Sequence, residues 1–213
     1  MRFERYTDQV ARWPQQGRHI LAHHDTESIV VYQAYRPSIA LHAVQHQQFG
    51  GDFSYNRMSW IKPNFLWMMY RAGWATKEGQ EHILAITLRR SFFDQVLREV
   101  VPSRYEPSRF SDEAAWKKAV ASSEVRLQWD PDHDPTGAPV ARKAVQLGLR
   151  GETLRRYGTG AVLAIEDITP FVIEQREHAS GDFSRLLIPE ERVYVPADPD
   201  AGRAVGIDYP SHL

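Results

Sequence analysis

Between residues 57 and 77 the chain reads RMSWIKPNFLWMMYRAGWATK, and this segment limits the possible folds more than any other. It holds Trp60, Trp67 and Trp74, half of the six tryptophans, together with Met58, Met68 and Met69, every methionine after the first. Aromatic side chains of this kind each bury roughly 150–250 Å² when packed, so most of them must lie in a core or against a ligand. Phe65, Met68 and Met69 fit the inner face of a helix over residues 63–72, which Pro63 can start and Gly73 can stop. Arg57, Lys62, Arg71 and Lys77 are nevertheless interleaved with the rings. Flat stacking surfaces beside cations are what a nucleotide or a single-stranded nucleic acid requires. Two readings stand side by side: core packing and a local binding site.

The remainder of the chain has to enclose this segment. With 213 residues, 42% hydrophobic and 11% aromatic, it can form a real core, and the length suits one domain. Proline and glycine are spread along the sequence without a repeat or a linker, so a single domain over 1–213 is expected, its core at about 18–196. Basic and acidic residues nearly balance, 26 against 27, so any attraction for phosphate must be local. The absence of cysteine excludes disulfides, thiolate metal sites and a thiol nucleophile. No window reads as a signal peptide or a membrane span, and a soluble cytoplasmic protein is expected.

Strands are read at Ser28–Tyr35 (SIVVYQAY), 82–89, 124–129, 143–149, 161–166 and 191–195. Helices are read from Pro37 to about Gln48, over 63–72, and from an N-cap at Ser91 to about Val101. Others follow from Asp112 to Ala121, after Gly151, and from Thr169. Gly50-Gly51 is read as the stop of the first. Elements alternate irregularly, which indicates an α+β domain with a mixed or mostly antiparallel sheet and flanking helices.

Within SIVVYQAY, alternation puts Gln33 and Tyr35 on one face and Tyr32 and Ala34 on the other. A buried amide there must find partners or cost about 1–3 kcal/mol, so Gln33 is either a fold-specific hydrogen-bonding residue or a ligand reader. The stretch 142–156 carries Arg142, Lys143, Arg150, Arg155 and Arg156 against Glu152 alone, a net charge of +4. Gly151 sits where backbone N–H groups could meet an anion, although no phosphate-loop motif is present. The pairs His19/His23 and His42/His46 lack an HExxH acid and a third ligand, so no metal is expected. DPDHDPTG imitates a calcium loop but has Pro135 where the glycine belongs, and it reads as a turn.

The stretches IVVYQAYRPSIA, MSWIKPNFLWMMYRAGWATK, QEHILAITLRRSFFD, VRLQWDPDHD and VQLGLRG resemble an uncharacterised family known as domain of unknown function 4291. The resemblance runs from about residue 28 to 151 and continues more loosely to ERVYVP. A more distant resemblance is to ADP-ribosyltransferase-type domains, whose first core strand presents an Arg or His to NAD and whose later strand carries a catalytic Glu. That resemblance implies Gln33 at the first position, Glu190 or Glu191 as the late acid, and Tyr70 as a nicotinamide-stacking residue. Arg57, Lys62, Arg71 and Arg150 would take the pyrophosphate or a nucleic-acid acceptor. The implied activity is transfer of ADP-ribose from NAD to a protein or nucleic acid. The alternative is a non-catalytic module that binds single-stranded nucleic acid through the tryptophans. Convergence of Gln33, Tyr35, Lys62, Tyr70, Arg71, Arg150 and a late Glu on one cleft would make a nucleotide-handling enzyme the leading account, whereas Trp and Tyr rings pointing into a closed core would make the segment architecture.

Overall fold

A computed structural model describes residues 1–208; the expected domain end at residue 213 lies outside them. In chain order the elements begin with β1 (Phe3–Arg5), α1 (Tyr6–Val10), β2 (Gly17–Arg18), β3 (Ile20–Ala22), β4 (Ser28–Tyr35), α2 (Pro37–His46), β5 (Ser59–Ile61) and α3 (Phe65–Ala72). They continue with β6 (His82–Arg89), α4 (Arg90–Arg98), β7 (Val100–Pro102), α5 (Glu113–Ser122), β8 (Val125–His133), β9 (Pro139–Leu149) and α6 (Gly151–Arg156). A π-helical turn (Tyr157–Ala161), β10 (Val162–Asp167), α7 (Thr169–Arg176), β11 (Leu187–Pro189), β12 (Arg192–Tyr194) and α8 (Pro199–Val205) complete the described chain. The result is a single α+β domain.

The apolar run of β4 is buried on both faces because it lies between two cores. It pairs antiparallel with β6, which in turn pairs with β10. Ile29 and Val31 of β4 and Leu84, Ile86 and Leu88 of β6 face one core, shared with α2, α4, β8 and β9. Val30 and Tyr32 of β4 and Ile83 and Ala85 of β6 face the other, filled by α3, Trp13, Val172 and Ile188. Such a strand needs no polar face, which is why its hydrophobic pattern is a run rather than an alternation.

The second large sheet is built on β9. Antiparallel β8 covers one edge, β5 and parallel β2 share the other, and β7 extends the sheet beyond β8. Leu127, Val145, Leu147 and Leu149 face the first core, while Gln128, Asp130 and Gln146 sit on the alternate positions. The two sheets are joined where β5 ends: the Tyr32 N–H donates to the Lys62 carbonyl at 2.7 Å, and the Lys62 N–H donates back at 3.3 Å. Two small antiparallel pairs, β1 with β11 and β3 with β12, bind the N-terminal segment to the late chain.

Among the boundaries that differ from the sequence reading, two are set by tertiary contacts and one by a local cap. Helix α2 stops at His46, because Gln47 adopts a left-handed conformation (φ 53°) before Gly50 is reached. The Gln47 amide bonds both the N–H and the carbonyl of Ile165, at 2.9 and 3.0 Å, which offsets that backbone cost. Helix α4 begins at Arg90 rather than after Ser91, and Ser91 makes no cap. The Arg90 N–H donates to the Glu27 carbonyl at 2.9 Å, so the strand runs directly into the helix. Helix α3 starts after Pro63, with Asn64 as its cap: the Asn64 Oδ1 accepts from the Trp67 N–H at 2.7 Å.

A buried ion pair fastens the N-terminal segment to β8 and β9. Arg142 meets Asp132 at 2.6 Å, with both side chains at most 5% exposed, and also donates to the Pro14 carbonyl at 2.7 Å. The Trp13 ring lies 5.1 Å from the same guanidinium. Removing one partner of a buried pair leaves a naked charge at a cost of about 3–5 kcal/mol, whereas replacing both by apolar groups of similar size costs far less. Asp132→Ala is therefore expected to lose about 3–5 kcal/mol in urea unfolding, and Asp132→Leu with Arg142→Met considerably less. Equal losses in the two variants would show that the ion pair itself, not the uncompensated charge, holds the segment.

Candidate functional site

A cavity of about 850 Å³ opens between the end of β4, the segment leading into β5, the outer face of α3 and the polar face of β8 and β9. Behind Met58 and Trp60 of its wall the backbone of β9 approaches closely. Gly148 of β9 lies under Met58 and Trp60, and a β-carbon at that position would stand 2.6 Å from the Met58 sulfur. A side chain there would push the wall inward.

The wall around β4 is a hydrogen-bonded network. Gln33 is buried; its Nε2 donates to the Ser59 Oγ at 2.8 Å and to the Trp60 carbonyl at 3.1 Å. The Tyr157 hydroxyl, from the π-helical turn, donates to the Gln33 Oε1 at 2.6 Å. The Tyr35 hydroxyl stands 3.1 Å from the same Ser59 Oγ, and burial raises its pKa, as it does that of Tyr157. The Gln33 amide is thus engaged by the fold while also lining the cavity, and its partners Ser59 and Tyr157 hold it in one orientation.

The charge of the cavity is one-sided. Arg36, Arg57, Lys62 and Arg71 line it against Asp52 alone. Arg36 and Asp52 are paired with each other at 3.1 Å, in an exposed position. Among the described residues no acid or hydrogen-bond acceptor holds the side chains of Arg57, Lys62 or Arg71. Arg57 and Arg71 are exposed, but Lys62 is only 5% exposed. Burial lowers the Lys62 pKa to about 8; the Arg71 charge also lowers it, and Asp130 works in the other direction. Asp130 is itself held by two amides of the cavity wall, Gln128 at 2.8 Å and Gln146 at 2.7 Å. These three polar residues were missed in the sequence; their signal is the alternation of Gln128 and Asp130 with Leu127 and Trp129.

Of the residues singled out from sequence, Gln33, Tyr35, Arg57, Lys62 and Arg71 therefore line one cavity. Tyr70, Arg150, Glu190 and Glu191 are not among its lining residues. Tyr70 is 43% exposed and stacks on His133, ring centroids 3.6 Å apart. Trp67 and Trp74 are core residues, and Trp60 is partly buried at the cavity. The Arg150 guanidinium donates to the carbonyls of Ser123 (2.9 Å) and Val120 (3.1 Å) at the end of α5. At the Gly151 turn (φ 59°) the expected anion is one of the chain's own carboxylates. Glu124 accepts from the N–H groups of Glu152 at 3.0 Å and Thr153 at 2.8 Å, and these bonds hold its carboxyl below the usual range.

The chain belongs to the DUF4291 family. The family, described as Domain of unknown function (DUF4291), matches residues 19–194, which include the whole cavity and both large sheets except β2. No curated protein matches the chain. The DUF4291 region thus contains Lys62, its two arginine neighbours and Glu191, and its end coincides with β12, where Tyr194 pairs with Ile20.

Glu191 has a structural setting at the start of α3. Its carboxylate accepts from the Phe65 N–H at 2.7 Å and the Asn64 Nδ2 at 3.2 Å, and it is 1% exposed. Burial pushes its carboxyl well above the usual range; the Phe65 N–H and Arg142 oppose the rise and Asp132 adds to it. Glu190 is more accessible, and its carboxylate lies 3.9 Å from the Arg192 guanidinium. Folding therefore keeps on Glu191 a proton that the unfolded chain releases near about pH 4.3. The stability tied to that proton is complete below about pH 4.3 and is lost as pH rises toward the folded value. Glu191→Gln is expected to gain stability relative to wild type as pH rises above about 4.3, by at most about 1.4 kcal/mol per pH unit. Urea titrations at several pH values read the difference; a constant offset between the two proteins would mean that Glu191 is ionised in the fold.

Proposed function

We propose that the chain handles a nucleotide, held by its phosphates in the cavity between β4 and β8. One observation carries the reading: three cations with no acidic partner among the described residues line a cavity of about 850 Å³, and one of them, Lys62, is only 5% exposed. A lysine largely withdrawn from water, with no acid bonded to it among the described residues, is costly to keep charged, and an anionic ligand lowers that cost. Arginine forks suit phosphate oxygens, and Tyr35, Phe53 and Trp60 offer ring surface for a base in the same space. The volume suits a ligand of nucleotide size.

NAD is the nucleotide that the resemblance to ADP-ribosyltransferase-type domains singles out, with transfer of ADP-ribose to a protein or nucleic acid as the reaction. Breaking its glycosidic bond builds positive charge on the ribose, which a carboxylate must stabilise. Asp130 is not itself a lining residue, but it is bonded to two that are, Gln128 and Gln146, and that link makes it the acid to test for this role; Glu190 and Glu191 have no such link to the cavity. Single-stranded nucleic acid remains the alternative ligand through Trp60 and the exposed Tyr70, which lies beside Arg71 and Lys77. The burial of Trp67 and Trp74 leaves it fewer stacking platforms.

Calorimetric titration with ATP, NAD and a short oligonucleotide tests the reading. ATP or NAD is expected to bind, and Arg57→Ala or Arg71→Ala to weaken binding by about 10- to 100-fold, the value of a hydrogen bond to a charged group. Absence of binding by both nucleotides overturns the proposal. Oligonucleotide binding that falls steeply with salt while neither nucleotide binds would favour the alternative.

A further inference from the structure

We propose that Lys62 is a nucleophile whose Nζ attacks the α-phosphorus of a nucleoside 5′-phosphoanhydride and carries the nucleotidyl group as a phosphoramidate. This rests on the nucleotide reading of the cavity and adds a covalent step to it. The first support is placement. The Lys62 backbone is clamped to Tyr32 by hydrogen bonds in both directions, so the side chain leaves a fixed point at the end of β5. It lines the cavity, is 5% exposed, and has no hydrogen bond or ion pair among the described residues. The acid whose field reaches it, Asp130, is already bonded to Gln128 and Gln146. The Lys62 stem is buried while the amine itself is not among the fully buried polar atoms, so the nitrogen opens onto the cavity.

The second support is the protonation state. With its pKa lowered to about 8 by burial and by Arg71, Lys62 has its free amine within reach near neutral pH. Desolvation beside another cation is a general way of activating a lysine. The third support is the sign of the surrounding charge, which separates phosphorus from carbon as the target. An iminium formed with a carbonyl would keep a positive charge beside Arg57 and Arg71. Attack on phosphorus instead ends the lysine's charge and places anionic oxygens against those arginines.

The step balances with the nucleotide alone. The nitrogen lone pair forms the P–N bond as the bond from the α-phosphorus to the bridging oxygen breaks. That oxygen keeps the electron pair and leaves as pyrophosphate from ATP, or as nicotinamide mononucleotide from NAD. The proton lost by nitrogen passes to solvent. A divalent cation accompanying the nucleotide would assist by neutralising the leaving group.

The test incubates the full chain with Mg²⁺ and either ATP labelled at the α-phosphorus or NAD labelled at its adenylyl phosphate. Reversible binding is measured in the same samples by equilibrium dialysis. The expected result is label that survives denaturation and alkali, is released by acid, and maps to Lys62 by mass spectrometry. Excess pyrophosphate should discharge it in the ATP arm. Lys62→Arg, assayed at nucleotide concentrations that saturate it in dialysis, should lose the label, and the wild-type labelling rate should rise with pH through about 8. Nucleotide bound without covalent label, or label on another residue, overturns the nucleophile and leaves the binding proposal standing. Release of nicotinamide in place of nicotinamide mononucleotide also overturns it, in favour of ADP-ribosyl transfer. Absence of reversible binding overturns both. If Lys62→Arg does not fold, mapping the adduct on the wild-type chain decides the question by itself.

Discussion

The reciprocal backbone bonds between Tyr32 and Lys62 join the two main sheets, and the geometry of the cavity depends on them. Tyr32 lies in a strand covered on both faces, so its position is set by packing from two cores at once. Lys62 inherits that rigidity without being part of the apolar interior. Groups held within a fraction of an ångström by such surroundings are what a binding or reacting site requires. The same seam brings Ser59 under Gln33 and Tyr35, so the network lining the cavity is a consequence of joining β4 to β5.

Near-neutral net charge conceals two basic clusters with opposite fates. The cluster at 142–156 is largely absorbed by the fold: Arg142 by Asp132, Arg150 by the carbonyls ending α5, and the N-terminus of α6 by Glu124. The cluster at 57–71 is not absorbed. Its cations face a cavity in which Asp52 is already paired to Arg36. Sequence spacing treats the clusters alike, because the acids and carbonyls that neutralise the first lie many positions away. The 142–156 stretch was the more conspicuous by charge and became the less available.

Legibility followed the range of the interaction. The reading Ser28–Tyr35 coincides with β4 because its signal is its own composition, and the reading Asp112–Ala121 falls within one residue of α5 because Asp112 caps it locally. Strands β1, β3 and β11 have three residues each and exist only through partners more than a hundred and fifty positions away, so no local pattern announces them, whereas β12 is legible at 191–195 from its own valines and tyrosine. The end of α2 was misread for the same reason: Gly50 is a local stop signal, but Gln47 is fixed by Ile165. At the site, Gln33, Tyr35, Arg57, Lys62 and Arg71 were legible as polar residues in apolar or aromatic surroundings. Gln128, Asp130 and Gln146 were not, because their convergence arises from the pairing of β8 with β9, in which Gln128 faces Gln146.

The aromatic segment satisfies both readings made from its sequence because helix α3 has two unlike sides. Phe65, Met68, Met69 and Trp74 supply the second core, and that burial fixes the helix against β4. The fixed helix then presents Arg71 toward the cavity from its outer side. The structural role makes the charged role possible, since an arginine on a loosely held helix would gain little from its proximity to Lys62. Leaving Lys62 buried without an acid costs stability that a carboxylate at its side would restore. A carboxylate there would also neutralise the cavity and raise the lysine pKa, removing both the anion site and the free amine. A ligand that binds the folded chain returns stability instead, by about 2.7 kcal/mol at a hundred times its dissociation constant. An unpaired lysine in a cavity bordered by arginines is thus an arrangement whose compensation is sought outside the chain.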